Sequence, residues 1–146
     1  YRMRKGWIEI SDLVVLRFVN FFYYLCFLIY TLIIGTFLVK NRKREPYNTA
    51  FRIFLATSIV LLIMEYGGTL AGIRVFYISS EQNLAWQMSL QIIMAFGEGG
   101  AATAIMYLMV NEIYNKNVKK YLAYLLSLSV LMFIFASSTF FYTRIS

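Results

Sequence analysis

The sequence predicts an all-α polytopic membrane protein, a four-transmembrane-helix bundle with short loops. Two observations support this prediction. First, 60% of the 146 residues are hydrophobic and only 14% are charged, which leaves too little polar surface to cover a soluble globule. Second, four apolar stretches are each long enough to cross a hydrocarbon core as helix, which takes about 20 residues. These stretches nearly exhaust the chain, so residues 1–146 form one transmembrane domain.

The predicted spans follow one another along the chain at residues 13–39, 48–78, 84–113 and 118–143. The first is too long and too aromatic for a cleaved signal peptide, and no small-residue cleavage site precedes Lys40, so it counts as a span. The second starts after Pro46, whose missing N–H costs nothing at a helix start. The sequence, which opens at Tyr1, fits either a small complete subunit or the membrane part of a longer protein.

Basic residues concentrate in the first and third loops, at residues 40–47 and 114–120. With an even number of spans these loops share one side, and the positive-inside rule places that side in the cytoplasm, with both termini outside. The densest basic cluster consists of Lys40, Arg42, Lys43 and Arg44. It is interpreted as a topology signal that contacts anionic lipid headgroups, because no aromatic stacking platform accompanies it; no nucleic-acid partner is indicated.

Aromatic residues are concentrated at both predicted membrane–water interfaces. Tyr23 and Tyr24 belong to the outer band, and Tyr47 and Tyr124 belong to the inner one. Such bands anchor helices at the membrane–water interface. A chromophore pocket is the weaker interpretation of the same residues.

Two glutamates, Glu65 and Glu98, fall within the second and third hydrophobic segments. Ionisable side chains in spanning helices are costly, usually face the bundle interior and often mark an ion or proton path. Both are therefore the candidates for a proton-binding or ion-binding centre.

Helical spacing places each glutamate on a polar or small-residue stripe that favours a helix contact. In the second span this stripe also contains the helix-packing candidates Gly68 and Gly72. In the third span Gly97, Gly99 and Gly100 surround the acid, where they loosen the helix, expose backbone carbonyls or permit tight packing. The full stripes are Ser58, Glu65, Gly68, Thr69 and Gly72 in the second span, and Gln87, Gln91, Ala95, Glu98 and Ala102 in the third.

The two glutamates are predicted to lie at matching depth. Glu65 precedes the connecting loop by about 13 residues and Glu98 follows it by about 15, so each lies roughly 20 Å from the loop along its helix. Two carboxylates in a dry site cannot both ionise cheaply, and we expect them to share a proton. The alternative is that a protonated Glu only donates a hydrogen bond between helices.

Further polar residues of the third span are candidates for a pathway to the Glu98 level. Gln87 and Gln91 lie towards the outer end, and Asn111 and Glu112 lie at the inner end, where a role as solvated end residues is the favoured alternative. The fourth span has only scattered hydroxyl side chains, which favours contact with lipid.

No pattern indicates an enzyme, a cofactor or a metal site. Histidine is absent and Cys26 is the single cysteine, so neither zinc spacing nor an intrachain disulfide is possible. Glu, Tyr, Ser and Arg residues are present, but nothing arranges them as a catalytic set.

Three functions fit the sequence. The first is a membrane subunit whose Glu65/Glu98 centre handles a proton or cation, within an oligomer or a larger membrane complex. The second is an accessory or scaffolding subunit, in which the same Glu and Gly residues serve packing and docking. The third is the membrane input module of a receptor. The expected partners are the lipid bilayer and other membrane subunits or further copies of the chain.

Overall fold

The computed structural model describes residues 13–18, 21–71, 74–77, 84–136 and 139–144. Its helices are α1 (Phe21–Asn41), α2 (Tyr47–Leu70), α3 (Leu84–Met94), α4 (Ala102–Tyr114) and α5 (Val118–Ala136). A π-helical segment, Ala95–Ala101, joins α3 to α4, and the three together make one long third span. Four described helices are thus long and apolar enough to cross a membrane. This confirms the predicted multi-pass, four-helix membrane bundle.

Segments that we predicted as the ends of three spans are strands instead. β1 (Leu13–Phe18), β2 (Arg74–Tyr77) and β3 (Thr139–Arg144) form a sheet in the order β2-β1-β3. β1 runs parallel to β2 and antiparallel to β3. β-branched and aromatic residues are frequent in these segments and favour strands. Because the open edge of a sheet is not tolerated in hydrocarbon, the membrane-crossing part of each of these spans is shorter than predicted.

The two ends of the bundle differ in structure. The sheet belongs to one end, since its strands precede α1, connect α2 to α3 and follow α5. The opposite end carries the two short basic connections, from α1 to α2 and from α4 to α5. The second connection turns at Lys116, whose left-handed backbone conformation (φ 54°) stops the helix.

The third span lies at the centre of the bundle and α5 lies at its periphery. In the third span 44% of the membrane-crossing window is buried, whereas in α5 the share is 6%. The largest fully buried apolar side chains come from α1 and the third span; they are Tyr23, Phe27, Leu38, Met94, Ile105 and Leu108. The low burial of α5 agrees with the lipid contact predicted for the fourth span.

The prediction that Tyr23 and Tyr24 are interfacial anchors is wrong. Both rings are buried, with 1% and 3% of their surface exposed. The reason is that they lie on the face of α1 that packs against the third span, where the Tyr24 hydroxyl donates to Met94 Sδ at 3.7 Å.

Candidate ion site at Glu98

Glu98 lies in the middle of the π-helical segment, whose sequence is Ala-Phe-Gly-Glu-Gly-Gly-Ala. A π-helix replaces the i→i+4 hydrogen bonds of an α-helix with wider i→i+5 bonds; it is rare and is found frequently at functional sites. Three glycines within seven residues lower the intrinsic preference for α-helix by about 1 kcal/mol each relative to alanine. The sequence around Glu98 therefore favours a local departure from regular α-helix.

The glycines of this segment allow two neighbouring helices to approach its backbone. A Cβ atom at Gly97 would overlap the Phe27 ring of α1, and one at Gly100 would overlap Ser58 Oγ and come within 2.8 Å of the Phe54 carbonyl oxygen of α2. Gly99 has somewhat more room, since its Cβ would lie 2.9 Å from Leu61. The segment is thus held between α1 and α2 by contacts that no larger residue permits without rearrangement.

Threonine hydroxyls bind the carbonyl oxygens at the end of the π-helical segment. Thr103 Oγ1 donates to the Gly99 carbonyl oxygen at 2.6 Å, and it lies 2.8 Å from Thr57 Oγ1 of α2. Thr57 Oγ1 also bonds the Ile53 carbonyl oxygen at 2.7 Å. Hydroxyl side chains of this kind satisfy backbone groups in irregular membrane helices. This network stabilises the segment and ties it to α2.

The Glu98 side chain is directed towards α1. Tyr23 Oη donates a hydrogen bond to Glu98 Oε1 at 2.7 Å, and the ring of Tyr23 packs against Phe27 with ring centroids 4.8 Å apart. The carboxyl group is only partly buried. Glu98 is therefore tied to α1 by the Tyr23 hydroxyl.

A cavity of about 210 Å³ with an almost entirely apolar surface adjoins Glu98 between α1, the third span and α5. Its lining consists of Phe27, Glu98, Ala102, Leu131, Met132 and Phe135. Phe27 and Leu131 are buried, whereas Met132 is exposed on α5, so the cavity opens sideways between α1 and α5. Tyr30 Oη lies 2.9 Å from Ser127 Oγ and joins α1 to α5 one turn below the cavity.

Glu65 lies at a different level from Glu98, contrary to the prediction of matching depth. Gly100 faces Ser58 across the helix interface. Since Glu65 is seven residues from Ser58 and Glu98 is two from Gly100, the two acids are offset by about 7 Å along antiparallel axes at 1.5 Å per residue. The physical reason is that α2 ends at Leu70, because the chain enters β2, which leaves Glu65 near the end of its helix.

Glu65 and Glu98 also lie on different faces of the bundle. Glu65 is buried on the same face of α2 as Ser58 and Phe54, which packs on the third span. Glu98 is two residues from Gly100, roughly the opposite side of its helix, and its cavity lies between α1 and α5. The fold therefore supports two separate acidic positions rather than one pair around a shared proton.

The predicted polar stripe of the third span is divided by the π-helical segment. Gln91 is fully buried and its Nε2 donates to Thr69 Oγ1 of α2, whereas Glu98 and Ala102 line the cavity beside α1 and α5. The wider turn shifts the phase of the helix, which the regular spacing used for the prediction does not allow for. The Gln87 side chain and Gly72 lie outside the described residues, and Gly68 is half-buried on α2.

At the basic end of the bundle, Glu112 is buried with 4% of its surface exposed, so the favoured interpretation of a solvated end residue is wrong for it. Lys120 Nζ lies 4.0 Å from Glu112 Oε1, and packing of α5 against α4 encloses the carboxylate. Asn111 is half-buried beside it. A second cavity of about 290 Å³ adjoins Glu112 and is lined by Ile113, Lys116, Val118 and Tyr121.

Apolar side chains separate the Glu98 level from the Glu112 level. Ile105 and Leu108 are 1% and 0% exposed and lie between the two acids, which are about 21 Å apart along the helix, or nearly four turns. Within the described residues, an apolar layer therefore separates Glu98 from Glu112.

Sequence reasoning missed Tyr23, Thr57 and Thr103. Tyr23 was assigned to an aromatic band, and its one distinguishing signal is that it lies four residues before Phe27, which places both on one face of α1. The threonines gave no signal of their own, because hydroxyl side chains bond the carbonyl oxygen four residues earlier in many helices, and the sequence does not show that Thr57 and Thr103 meet between two helices.

The described residues contain no cluster of three or more acidic or cysteine side chains that could hold a metal ion. Comparisons of the chain with protein-family models, with curated proteins and with solved structures give no match.

Proposed function

We propose that this chain is an integral membrane subunit that takes up and releases a proton or a cation at Glu98. The observation that supports this proposal best is the position of the Glu98 carboxyl group, in a π-helical segment within a membrane span and hydrogen-bonded to a buried Tyr23. Ionisable side chains within membrane spans often mark ion or proton paths, and π-helical segments are frequent at functional sites.

Glu65 is a second acidic position of the same subunit, placed closer to the sheet end of the bundle. Because apolar side chains close the interior below Glu98, the subunit binds and releases its cation in steps and is not an open pore. Few helices surround Glu98 in this bundle. The exposed face of α5 can therefore contact other membrane subunits or further copies of the chain. The basic loops 40–47 and 114–120 face the cytoplasm in this proposal.

Replacing Glu98 and Glu65 by glutamine, which removes their negative charge, tests the proposal. Purified protein is reconstituted into liposomes, and proton and sodium fluxes are measured for Glu98→Gln, Glu65→Gln and the double variant. Glu45→Gln is the matched control, since Glu45 is exposed in the loop before α2. We expect Glu98→Gln to abolish the flux and Glu45→Gln to leave it unchanged. Unchanged flux in the double variant, with the protein correctly assembled, would contradict the proposal.

The second candidate function is an accessory subunit that assembles a membrane complex. The close contacts of Gly97 with α1 and of Gly100 with α2 favour it, because such packing makes a rigid scaffold without any transport. It predicts that the double Gln variant loses stoichiometric partners on purification. Normal assembly combined with lost flux would exclude it.

A further inference from the structure

A groove runs along the membrane-facing surface of α1 at the basic end of the bundle. Its volume is about 510 Å³, and it is lined by Leu32, Ile33, Thr36, Phe37 and Lys40. Residues four apart stack on one face of a helix, so Leu32, Thr36 and Lys40 form one wall and Ile33 and Phe37 form the other. The groove is therefore the furrow between two neighbouring rows of α1 side chains, and it is about 12 Å long.

The inner part of this groove is apolar and faces the lipid. Leu32 and Ile33 are 59% and 61% exposed. Phe37 packs edge-on against the Tyr47 ring of α2, with ring centroids 5.4 Å apart, which holds the wall next to α2 in place. A furrow with such walls gives an acyl chain more van der Waals contacts than an even helix surface does.

The polarity of the groove changes along α1 in the same order as the parts of a phospholipid. Leu32 and Ile33 lie deepest in the membrane, the Thr36 hydroxyl follows about 6 Å nearer the basic end, and Lys40 follows about 6 Å beyond Thr36. A phospholipid presents its acyl chains, ester groups and phosphate in this sequence. Lys40, whose long side chain reaches the headgroup level, can therefore pair with the phosphate while Thr36 donates to an ester carbonyl oxygen.

Both polar side chains of the groove are available to a ligand. Thr36 and Lys40 belong to exposed positions of α1. The Ser129 hydroxyl of α5 bonds the Leu125 carbonyl oxygen of its own helix, whereas Thr36 makes no hydrogen bond within the described part of the chain. The Thr36 hydroxyl can therefore donate outwards.

The charge at the outer end of the groove favours an anion. Three exposed basic residues at positions 42–44 follow Lys40. The neighbouring Glu45 carboxylate faces the start of α2, where it accepts a hydrogen bond from Thr49 Oγ1 at 2.9 Å. Because α1 ends and α2 begins at this connection, the half-charges of their dipoles are opposite in sign and largely cancel. The four positive side chains therefore dominate the local field.

We infer that this groove binds one anionic phospholipid, with an acyl chain against Leu32, Ile33 and Phe37, an ester group at Thr36 and the phosphate at Lys40. A defined position for one lipid differs from the general attraction of a basic loop to an anionic membrane. The inference goes beyond the proposed function, because it involves no residue of the Glu98 site, and lost flux in the glutamate variants leaves it unchanged.

The test uses dioleoylphosphatidylglycerol as the probe. Binding of the labelled lipid to the purified full chain is measured in micelles of a neutral detergent. Displacement is attempted with the unlabelled lipid, with dioleoylphosphatidylcholine, which has the same chains and no net charge, and with inorganic phosphate. The variants are Lys40→Gln and Thr36→Val in the groove, and the controls are Lys43→Gln and Lys119→Gln, which remove one positive charge each from exposed positions outside the groove.

We expect saturable binding that is displaced by unlabelled phosphatidylglycerol and by neither phosphatidylcholine nor inorganic phosphate. Binding weakens about fivefold in Lys40→Gln and about threefold in Thr36→Val. Lys43→Gln and Lys119→Gln weaken it by less than about twofold, since their charges act from a distance.

Three results overturn the inference. Equal weakening in Lys40→Gln and Lys43→Gln would show a diffuse basic surface without a lipid site. Equal displacement by phosphatidylcholine would show that the headgroup charge is not recognised. Absence of saturable binding, together with a dimeric mass in native mass spectrometry, would assign the groove to a second copy of the chain.

Discussion

At the scale of single residues, the hydrogen bond from Tyr23 to Glu98 determines where the acid points. Its 2.7 Å length is typical of a hydroxyl donating to a carboxyl oxygen, and the donor is almost fully buried. The bond fixes the carboxyl group on the side of the third span that faces α1. Tyr23 is therefore a positioning residue for Glu98.

Tyr23→Phe removes this donor while keeping the ring. We expect the free energy of unfolding to fall by about 1 kcal/mol, the usual size of a hydrogen bond between membrane helices, in unfolding titrations in mixed micelles. Tyr114→Phe is the control, since Tyr114 is largely exposed, and it should change nothing. Combining Tyr23→Phe with Glu98→Ala should cost less than the two single changes together; simple additivity would show that the two side chains do not interact.

At the scale of elements, the π-helical segment explains which features of the third span can be predicted from the sequence and which cannot. The glycines around Glu98 predict a loosened helix, exposed backbone carbonyls or tight packing, and the structure has a π-helical segment with close contacts to α1 and α2 there. The faces of the third span could not be predicted, because Gln91 and Glu98 share a stripe only if the helix keeps one regular phase throughout. The level of Glu65 could not be predicted either, since hydropathy does not separate the apolar strand β2 from the end of α2.

Gly100→Ala tests the packing of this segment. The added methyl group meets Ser58 Oγ and the Phe54 carbonyl oxygen, and overpacking of this kind costs about 1–3 kcal/mol. Gly67→Ala is the matched control on α2, because nothing lies within 4 Å of its Cβ position; there the higher helix preference of alanine should be neutral or stabilising. Thermal unfolding in detergent compares the two, and equal effects would contradict the close packing of Gly100.

At the scale of the whole molecule, the third span is buried at the centre of the bundle and α5 is largely exposed at its periphery. The two ends of the bundle differ in structure. The basic loops meet at one end and the sheet occupies the other. With four spans, the first and third connections lie on the same side of the membrane. Because both are basic, the positive-inside rule predicts that this side is the cytoplasm.

Single cysteines test this arrangement. In a Cys26→Ser background, Lys43→Cys and Lys119→Cys are both exposed positions in or beside the basic connections. In intact cells we expect a membrane-impermeant maleimide to label neither, and to label both after permeabilisation. Labelling of one alone in intact cells would contradict an even number of crossings between them, and labelling of both would reverse the proposed orientation.

The sheet also sets an order of events during synthesis of the chain. Its central strand, β1, is made first; β2 follows before the third span, and β3 arrives only after α5, with Phe18 pairing with Thr139. At about 5–20 residues per second, the roughly 120 residues between these partners take about 6–24 s to translate. During this time one edge of β1 lacks its partner strand β3, so the sheet is completed only after α5 has been synthesised.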